Sequence, residues 1–447
     1  MKEYIQVNGT GLFRGQEEMR FNGICVGSWL NIEHFMIGWP GPEHMIRKTV
    51  ERVAGKETAA VFFQNFHENF LSEEDFLFLQ QCNVNLIRVP FNYRLFLDDE
   101  DPEAFHEEGF RQLDRILPLC RKYGIYLLLD LHSVPGGQNP DWHSDNGTGI
   151  SQFWHFGVFR KQVVKLWRKL AGHYVDEEMI LGYDLLNEPF LMGAPDVLDD
   201  FFAEVTRAVR EVDTHHILFL EGDHFAMDFR RFHELSDKNT AFSFHFYPTV
   251  WEPELLTDAW SRDARNQKFA TILEEIIEVR ERLNRPVICT ETGYDITPDT
   301  ETFAMEVLGD TLQILKERNI SWTIWCYKDA QMLGLCYAQK DSEWMRLVTE
   351  IRKSWNHYQE MDQGKELVAD IMQLPGFGDA DEEMNYAMQF RIRAILFEYQ
   401  ERYILEPLLK RYTKEELRKL PESWKFAACG YYKKYAEPVI GRVAICL

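Results

Sequence analysis

IYLLLDLH, residues 125–132, is a short apolar run that ends in polar side chains, and its reading decides the fold. Runs of this kind, recurring with longer amphipathic stretches between them, predict parallel strands that are buried on both faces and covered by helices. Seven more follow the same pattern: Phe21–Gly27, Asn85–Pro90, Ile180–Glu188, Ile217–Glu221, Ala241–His245, Val287–Glu291 and Ser321–Trp325. Eight is the closing number for a barrel, so the chain reads as an α/β protein with a (β/α)8 TIM-barrel architecture.

The intervening segments carry helix boundaries that agree with this alternation. Ser72-x-x-Asp75 forms a capping box ahead of an apolar stretch, and Gly124 follows the periodic segment that ends at Tyr123. Residues 31–70 make a first βα connection too long for a plain loop, with helical character around Glu43–Ala54, and are expected to roof the pocket. A second long loop, SVPGGQNPDWHSDNGTG (133–149), follows the third strand and has the polar and aromatic content of a sugar-contacting segment. Trp344–His357 reads as the closing helix. The catalytic barrel is therefore assigned to residues 1–357, and residues 358–447 to a helical C-terminal extension. Its helix candidates are Asn385–Tyr412 and Lys414–Leu420, with apolar residues at three- and four-residue spacing. Packing on the barrel and packing at a homo-oligomer interface account for that pattern equally well.

Composition narrows the partners. Hydrophobic residues make up 45% and charged residues 27% of the 447, the profile of a folded enzyme. With 49 basic against 72 acidic side chains, the net charge of −23 repels phosphate backbones and anionic lipid heads, which argues against nucleic-acid and membrane partners. The start, MKEYIQVNGTGLFRGQ, lacks a signal-like apolar core, and no segment approaches 18 uninterrupted apolar residues, so a cytoplasmic location is expected. Eight cysteines stand singly without metal-ligand spacing and read as buried free thiols.

In a β/α barrel the reacting groups sit at the carboxyl ends of the strands. Six of the eight runs end in unusual polar or aromatic residues: Arg88, Asp130 with His132, Asn187-Glu188, His245 with Tyr247, Glu291, and Trp325. Glutamates ending strands four and seven face each other across the mouth, which suits hydrolysis of a glycosidic bond by double displacement. Glu188 is read as the general acid/base, held protonated by partial burial and by the charge of its partner. Glu291 is read as the nucleophile, kept ionised by Arg88. His245 and Tyr247 are placed to orient it, Asn187 to hold the sugar 2-hydroxyl, and Trp325 to floor the ring. No cofactor and no metal are called for. A metal-dependent hydrolase using Asp130, His132 and His245 lacks the paired histidines that the first strand usually contributes, and a catalytically dead sugar-binding barrel would not keep both glutamates.

Six segments then resemble the successive signatures of glycoside hydrolase family 5: NLIRVP (85–90), DLH (130–132), LLNEP (185–189), HFYP (245–248), TETG (290–293) and WTIW (322–325). The resemblance spans roughly residues 20–330 and implies that Arg88, His132, Asn187, Glu188, His245, Tyr247, Glu291 and Trp325 take the family's active-site places. Within the family, GICVGSWLNIE (23–33) and DLHSVPGGQN (130–139) look most like the exo-β-1,3-glucanase and β-glucosidase branch. There the residue matching Glu33 holds hydroxyls of the terminal sugar, which implies exo action. After Asn139 the loop is longer than in that branch, so whether His143, Asp145 or Asn146 replaces the usual sugar contact stays open. The expected function is a retaining exo-β-glycosidase releasing terminal β-glucosyl residues from an oligosaccharide or β-glycoside. An intracellular exo-β-mannosidase and a cellulase-like endo-β-glucanase are the alternatives.

Overall fold

The computed structural model describes residues 2–194, 196–233, 236–257, 259–296, 300–354, 365–375 and 381–433. Eight parallel strands close a barrel in sequence order: β1 (Asn22–Cys25), β2 (Leu86–Asn92), β3 (Tyr126–Ser133), β4 (Ile180–Asp184), β5 (Ile217–Glu221), β6 (Thr240–His245), β7 (Val287–Thr292) and β8 (Ser321–Ile324). All eight expected strands are present, within a few residues of their expected bounds. The largest difference is β4, which stops at Asp184. Beyond it the Leu185 and Asn187 N–H groups still donate to the carbonyls of Phe219 and Leu131 on the flanking strands, each at 3.1 Å, and Glu188 then adopts a left-handed φ of 46° that no strand accommodates.

Inside the barrel, Phe21, Leu86, Tyr126, Leu128, Leu181, Ile217, Phe219, Ala241 and Ile288 pack into one apolar layer. Ile5 and Leu12 of an N-terminal antiparallel sheet (Ile5–Asn8, Gly11–Arg14, Glu17–Glu18) join that layer and plug the amino end of the barrel. Polar chemistry is thereby confined to the carboxyl end. A register shift in β7 between Cys289 and Glu291 breaks its pairing with β6, the kind of bulge that re-aims a side chain beside a site.

The long first connection holds the expected helix, Glu43–Ala54, and a second one, Lys56–Phe70. This pair does not roof the pocket. Most of it packs outward on the C-terminal extension, where Phe66 and Phe70 meet Trp424, while the segment before it and its first turn, whose His44 N–H donates to Asp145 Oδ1 at 2.8 Å, reach the loops at the carboxyl end. Its large aromatic side chains have nowhere to be buried at a polar mouth, which explains the direction it takes. The capping box at Ser72 forms, with the Ser72 N–H donating to Asp75 Oδ2 at 2.7 Å. The other Asp75 oxygen accepts from Tyr327 Oη at 2.7 Å and pairs with the buried Lys328 Nζ at 2.5 Å; Lys328 also donates to the carbonyls of Phe70 (2.8 Å) and Trp424 (3.1 Å). One buried ammonium thus ties together the first insertion, the end of β8 and the extension.

The closing helix runs Glu343–Ser354; the rest of its expected span lies outside the described residues. In the extension, helices Glu382–Gln400 and Lys414–Lys419 match the expected ones, and Cys429–Tyr431 adds a strand to a small sheet with Lys328–Asp329 and Cys336–Ala338. Of the cysteines, Cys25, Cys82, Cys120, Cys289, Cys326 and Cys336 are buried free thiols, Cys429 is half-buried, and Cys446 lies outside the described residues.

The Glu382–Gln400 helix lies across the third and fourth βα loops. Arg393 pairs with Asp141 at 2.7 Å and covers the Trp142 ring at 4.4 Å, and Phe397 packs with Trp142 and Trp325 in one apolar cluster. The two backbones come close at Gly149 (φ +67°), where a Cβ would stand 2.6 Å from the Phe390 carbonyl. Gly149→Ala therefore combines a left-handed backbone with a backbone clash, a cost of about 1–3 kcal/mol. Amide exchange across residues 382–400 should speed up by roughly tenfold or more while the barrel strands stay protected. Unaltered exchange in that helix would show that its docking does not depend on this contact.

Candidate active site

Arg88, on β2, is fully buried and organises the carboxyl end of the barrel. Its Nε donates to Asp184 Oδ2 (3.1 Å), Nη1 to Glu291 Oε1 (2.5 Å), and Nη2 to both Asn187 Oδ1 (2.9 Å) and Glu221 Oε1 (3.1 Å), with Asp130 Oδ2 at 3.2 Å. Burial alone would depress a guanidinium's pKa; the charges of Asp130, Asp184 and Glu291 outweigh it and hold the group well above its ordinary value. Asp184 pays the opposite consequence. Desolvation and the neighbouring Glu221 push its carboxyl well above the usual range.

Glu291 lies among three donors. Besides Arg88, Tyr247 Oη donates to its Oε2 at 3.0 Å, and His245 Nδ1 stands 3.5 Å from the same oxygen. Burial next to Glu291 holds the Tyr247 phenol well above its ordinary pKa, so it stays a donor. Glu188 sits opposite. Its Oε1 meets His245 Nδ1 at 2.7 Å, its Oε2 meets His143 Nε2 at 2.8 Å, and its backbone N–H donates to Glu221 Oε2 at 2.6 Å. One carboxylate oxygen of Glu188 and one of Glu291 lie within 4.8 Å of each other. A gap of this size matches the roughly 5–5.5 Å between carboxyl groups that act by double displacement, and is too narrow for the intervening water of an inverting site.

Around the pair, Asn187 presents its amide with Oδ1 pinned by Arg88. The His132 ring stacks on Trp325 at 5.5 Å and 9°, its Nδ1 bonded to Asp130 Oδ2 at 2.7 Å. Burial would lower the His132 pKa, but Asp130 and Glu33 push it up to about 10, so the ring is cationic. Glu33 is 3% exposed, and its Oε1 lies 3.3 Å from His132 Nε2 without a hydrogen bond of its own. All nine residues singled out in the sequence thus converge on the mouth.

The protonation pattern differs from the expected one. The sequence leads one to expect Glu188 to be held protonated by partial burial and by the charge of Glu291. Burial does act in that direction, but His143 and His245 outweigh it and hold the carboxyl well below its usual range. Both imidazoles are correspondingly raised: desolvation opposes this, while Glu188 favours it at His143 and Glu291, Glu221 and Glu188 favour it at His245. Glu291 moves upward through desolvation, against the pull of His245 and Arg88. Glu188 and the two imidazoles titrate together through contacts of 2.7 Å to His245 and 2.8 Å to His143.

Of the three third-loop candidates, His143 is the one that reaches Glu188. It bonds Glu188, with Asn139 Nδ2 at 2.8 Å from its Nε2 and donating to the Glu188 carbonyl at 3.0 Å. Asp145 turns away, pairing with His44 Nδ1 at 2.8 Å and with Arg94, and Asn146 serves the loop's own backbone. Asp184 and Glu221 were also passed over, although Glu221 ends an apolar run as the chosen residues do.

Among the described residues, Glu188–His245–Glu291 and Asp130–Asp184–Glu221 each bring three ligand atoms within 4.8 Å. Arg88 bonds Glu291 of the first set and all of the second, so a guanidinium already supplies the cation there.

A family model described as Cellulase (glycosyl hydrolase family 5) matches residues 48–331, a span that holds the site from Arg88 to Trp325. A "Beta-xylosidase" of Phanerodontia chrysosporium is 36% identical over 359 residues, covering 77% of this chain and 75% of that protein. "Endoglucanase C" of Acetivibrio thermocellus is 24% identical over 60% of this chain and 87% of its own length. A "Probable glucan 1,3-beta-glucosidase A" of Emericella nidulans is 27% identical over 45% of this chain and 51% of its own.

The shared proton gives a pH prediction. His143, raised above its ordinary value of 6.5 by Glu188, retains the proton that Glu188 must donate, so activity on the alkaline side falls as the imidazolium is lost. His143→Gln removes one of the two imidazoles that share protons with Glu188 and leaves His245 as the other. The alkaline limb of kcat/KM should move acidward by about one unit or more, and substrates with poor leaving groups should lose more rate than dinitrophenyl ones. A limb that stays in place would put the donated proton on another group.

Proposed function

The chain belongs to glycosyl hydrolase family 5, and on that premise we propose that it is a retaining, exo-acting β-glycosidase that releases terminal β-glucosyl residues. The observation that carries this reading is the pair of facing carboxyls within 4.8 Å, one held by Arg88 and Tyr247 and the other by two imidazoles.

In the proposed reaction Glu291 attacks the anomeric carbon while the bond to the glycosidic oxygen breaks and that oxygen takes a proton from Glu188. The proton reaches Glu188 from its imidazole partner as the sugar fills the mouth. Water then attacks the glycosyl ester, giving its proton to Glu188 and freeing Glu291, and the configuration is retained. Arg88 fixes Asn187 through Oδ1 and leaves its Nδ2 to donate to the 2-hydroxyl, a contact that strengthens in the transition state. Trp325, stacked against His132, floors the ring. The buried Glu33, with one oxygen not yet hydrogen-bonded, supports an end wall where the last sugar's hydroxyls are held.

A second reading, release of terminal β-xylosyl residues, is favoured by the 36% identity to the beta-xylosidase. Xylose and glucose share the equatorial 2-hydroxyl that Asn187 would hold and differ at C5. Aryl β-glucoside, β-xyloside and β-mannoside compared side by side separate these sugars, and proton NMR of the first product reports the stereochemistry. We expect the β anomer first, and Glu33→Ala should lower kcat/KM on the preferred glycoside by about a hundredfold or more, the scale of one lost charged hydrogen bond. First appearance of the α anomer would overturn retention; cleavage of internal bonds in a long glucan ahead of aryl glycosides would overturn exo action.

A further inference from the structure

The His143 imidazole beside Glu188 does not stand on the barrel. It sits in a single 3-10 turn, Trp142–Ser144, far along the third βα loop, an element with little hydrogen bonding of its own. Neighbours therefore set its position. From the barrel side, Asn31 Nδ2 and Ser133 Oγ donate to the His143 carbonyl at 3.1 and 3.0 Å. Ahead of it, Asp141 Oδ1 caps the turn by accepting the Trp142 N–H at 2.9 Å. The same Asp141 oxygen accepts from Arg393 Nη1 at 2.7 Å, a contact spanning 252 residues of sequence, and the guanidinium lies over the Trp142 ring at 4.4 Å.

Arg393 thus grips both residues that precede His143. It is buried, and a planar fork is the group that can meet a carboxylate at its edge and a ring on its face at once. His34 and Phe397 close other sides of the Trp142 ring, with centroids 4.6 and 6.2 Å away, so the indole cannot swing without displacing the helix Glu382–Gln400. His143 is the next residue, and its 2.8 Å contact with Glu188 does not survive a drift of about 1 Å. The charges around His143 also set a sign. Desolvation lowers its pKa, while Glu188, Asp141 and Glu33 raise it and prevail. Facing them are the groups of opposite sign: the His132 ring at 5.9 Å, His245 on the other Glu188 oxygen, and Arg393 behind Asp141. By charge alone Arg393 opposes the imidazolium, so deleting that charge would move proton loss to higher pH. Losing the contact with Glu188 moves it to lower pH.

We propose that Arg393 is a positioning residue for the acid step: by clamping Asp141 and Trp142 it keeps His143 within reach of Glu188, so that the C-terminal extension takes part in proton delivery to the leaving group. This rests on the retaining β-glycosidase reading above, with Glu188 as the acid. The family match ends at residue 331, so this contribution comes from outside the matched span. The barrel supplies the acid, and the extension fixes the imidazole that shares its proton.

The test follows kcat/KM against pH in the full chain, on the phenyl and the dinitrophenyl β-glycoside of its preferred sugar, for Arg393→Met, His143→Gln and the double variant. In Arg393→Met the alkaline limb for the phenyl glycoside should move acidward by about half a unit or more and the rate on that limb should fall by about tenfold, while the dinitrophenyl glycoside, whose leaving group needs no proton, changes by less than about twofold. Added to His143→Gln, Arg393→Met should shift the limb no further. A limb that stays or moves alkaline, equal slowing of both substrates, or shifts that add in the double variant overturns the positioning role and leaves the mechanism standing. Phe397→Leu loosens the same indole with every charge kept and should shift the limb acidward by a smaller amount, with amide exchange across residues 126–133 reporting that the barrel is intact. Where Arg393→Met does not fold, Phe397→Leu decides, and an unmoved limb there overturns the proposal. Inactivity of the unaltered enzyme on every aryl β-glycoside overturns the glycosidase reading and the proposal with it.

Discussion

A fully buried guanidinium surrounded by four carboxyl groups sets the terms for everything at the mouth of this barrel. Removing Arg88 from water costs several kcal/mol, and only close, well-aimed partners offset that. The planar fork of five donors supplies the geometry: a single Arg touches Asp184, Asn187, Glu221, Asp130 and Glu291, drawn from β2's neighbours and from across the mouth. A lysine could neutralise one acid but could not hold four strands' worth of side chains in register. The surplus of carboxyls over cations is matched by an upward shift at Asp184 and by three raised histidines of the mouth, His132, His143 and His245. The network is therefore a device for distributing protons as much as for holding shape.

Most of the barrel was legible in the sequence because parallel strands covered on both faces must be apolar along their length, and IYLLLDLH or ILFLE cannot be confused with an amphipathic helix of three turns. The exception is instructive. ILGYDLLNE reads as one strand, yet regular pairing stops at Asp184 and the segment ends in a left-handed Glu188 whose carboxyl meets His143 and His245. The apolar Leu185 and Leu186 remain buried either way, so hydropathy carries no trace of the turn. Glu221 had a trace, an acid closing an apolar run, and was passed over because no partner for it was visible along the chain. The protonation state of Glu188 was read from one neighbour, Glu291; the two imidazoles that reverse it come from β6 and from a loop 45 residues upstream, and only the fold brings them together.

The extension was the least legible part, for a reason of the same kind. A helix with apolar residues at three- and four-residue spacing declares that it packs, not on what. Arg393 over Trp142, Phe397 beside Trp142, and Phe390 against Gly149 are contacts more than 200 residues apart in sequence. Lys328 shows how such an arrangement is locked. With Asp75 as counter-ion and the Phe70 and Trp424 carbonyls as further acceptors, its buried ammonium is satisfied only when insertion, barrel and extension are all in place.

Two strained segments, Glu188 and the left-handed turn at residues 224–226, sit at the mouth, and both trace back to the same anchor. Glu221 accepts the Glu188 N–H through Oε2 and Arg88 through Oε1, so the guanidinium that holds Glu291 also holds, at one remove, the backbone that aims Glu188. The strand ending in Glu221 runs straight on through Gly222 into Asp223, whose carboxylate fixes the left-handed turn. Strain of this sort is stable only on a rigid base, and the base is the apolar layer below, closed by the N-terminal sheet and free of charge. The molecule thus separates its labours along the barrel axis: packing at the amino end supplies stability, and the carboxyl end spends part of it on holding two carboxyls in positions that neither hydrophobicity nor backbone preference would choose.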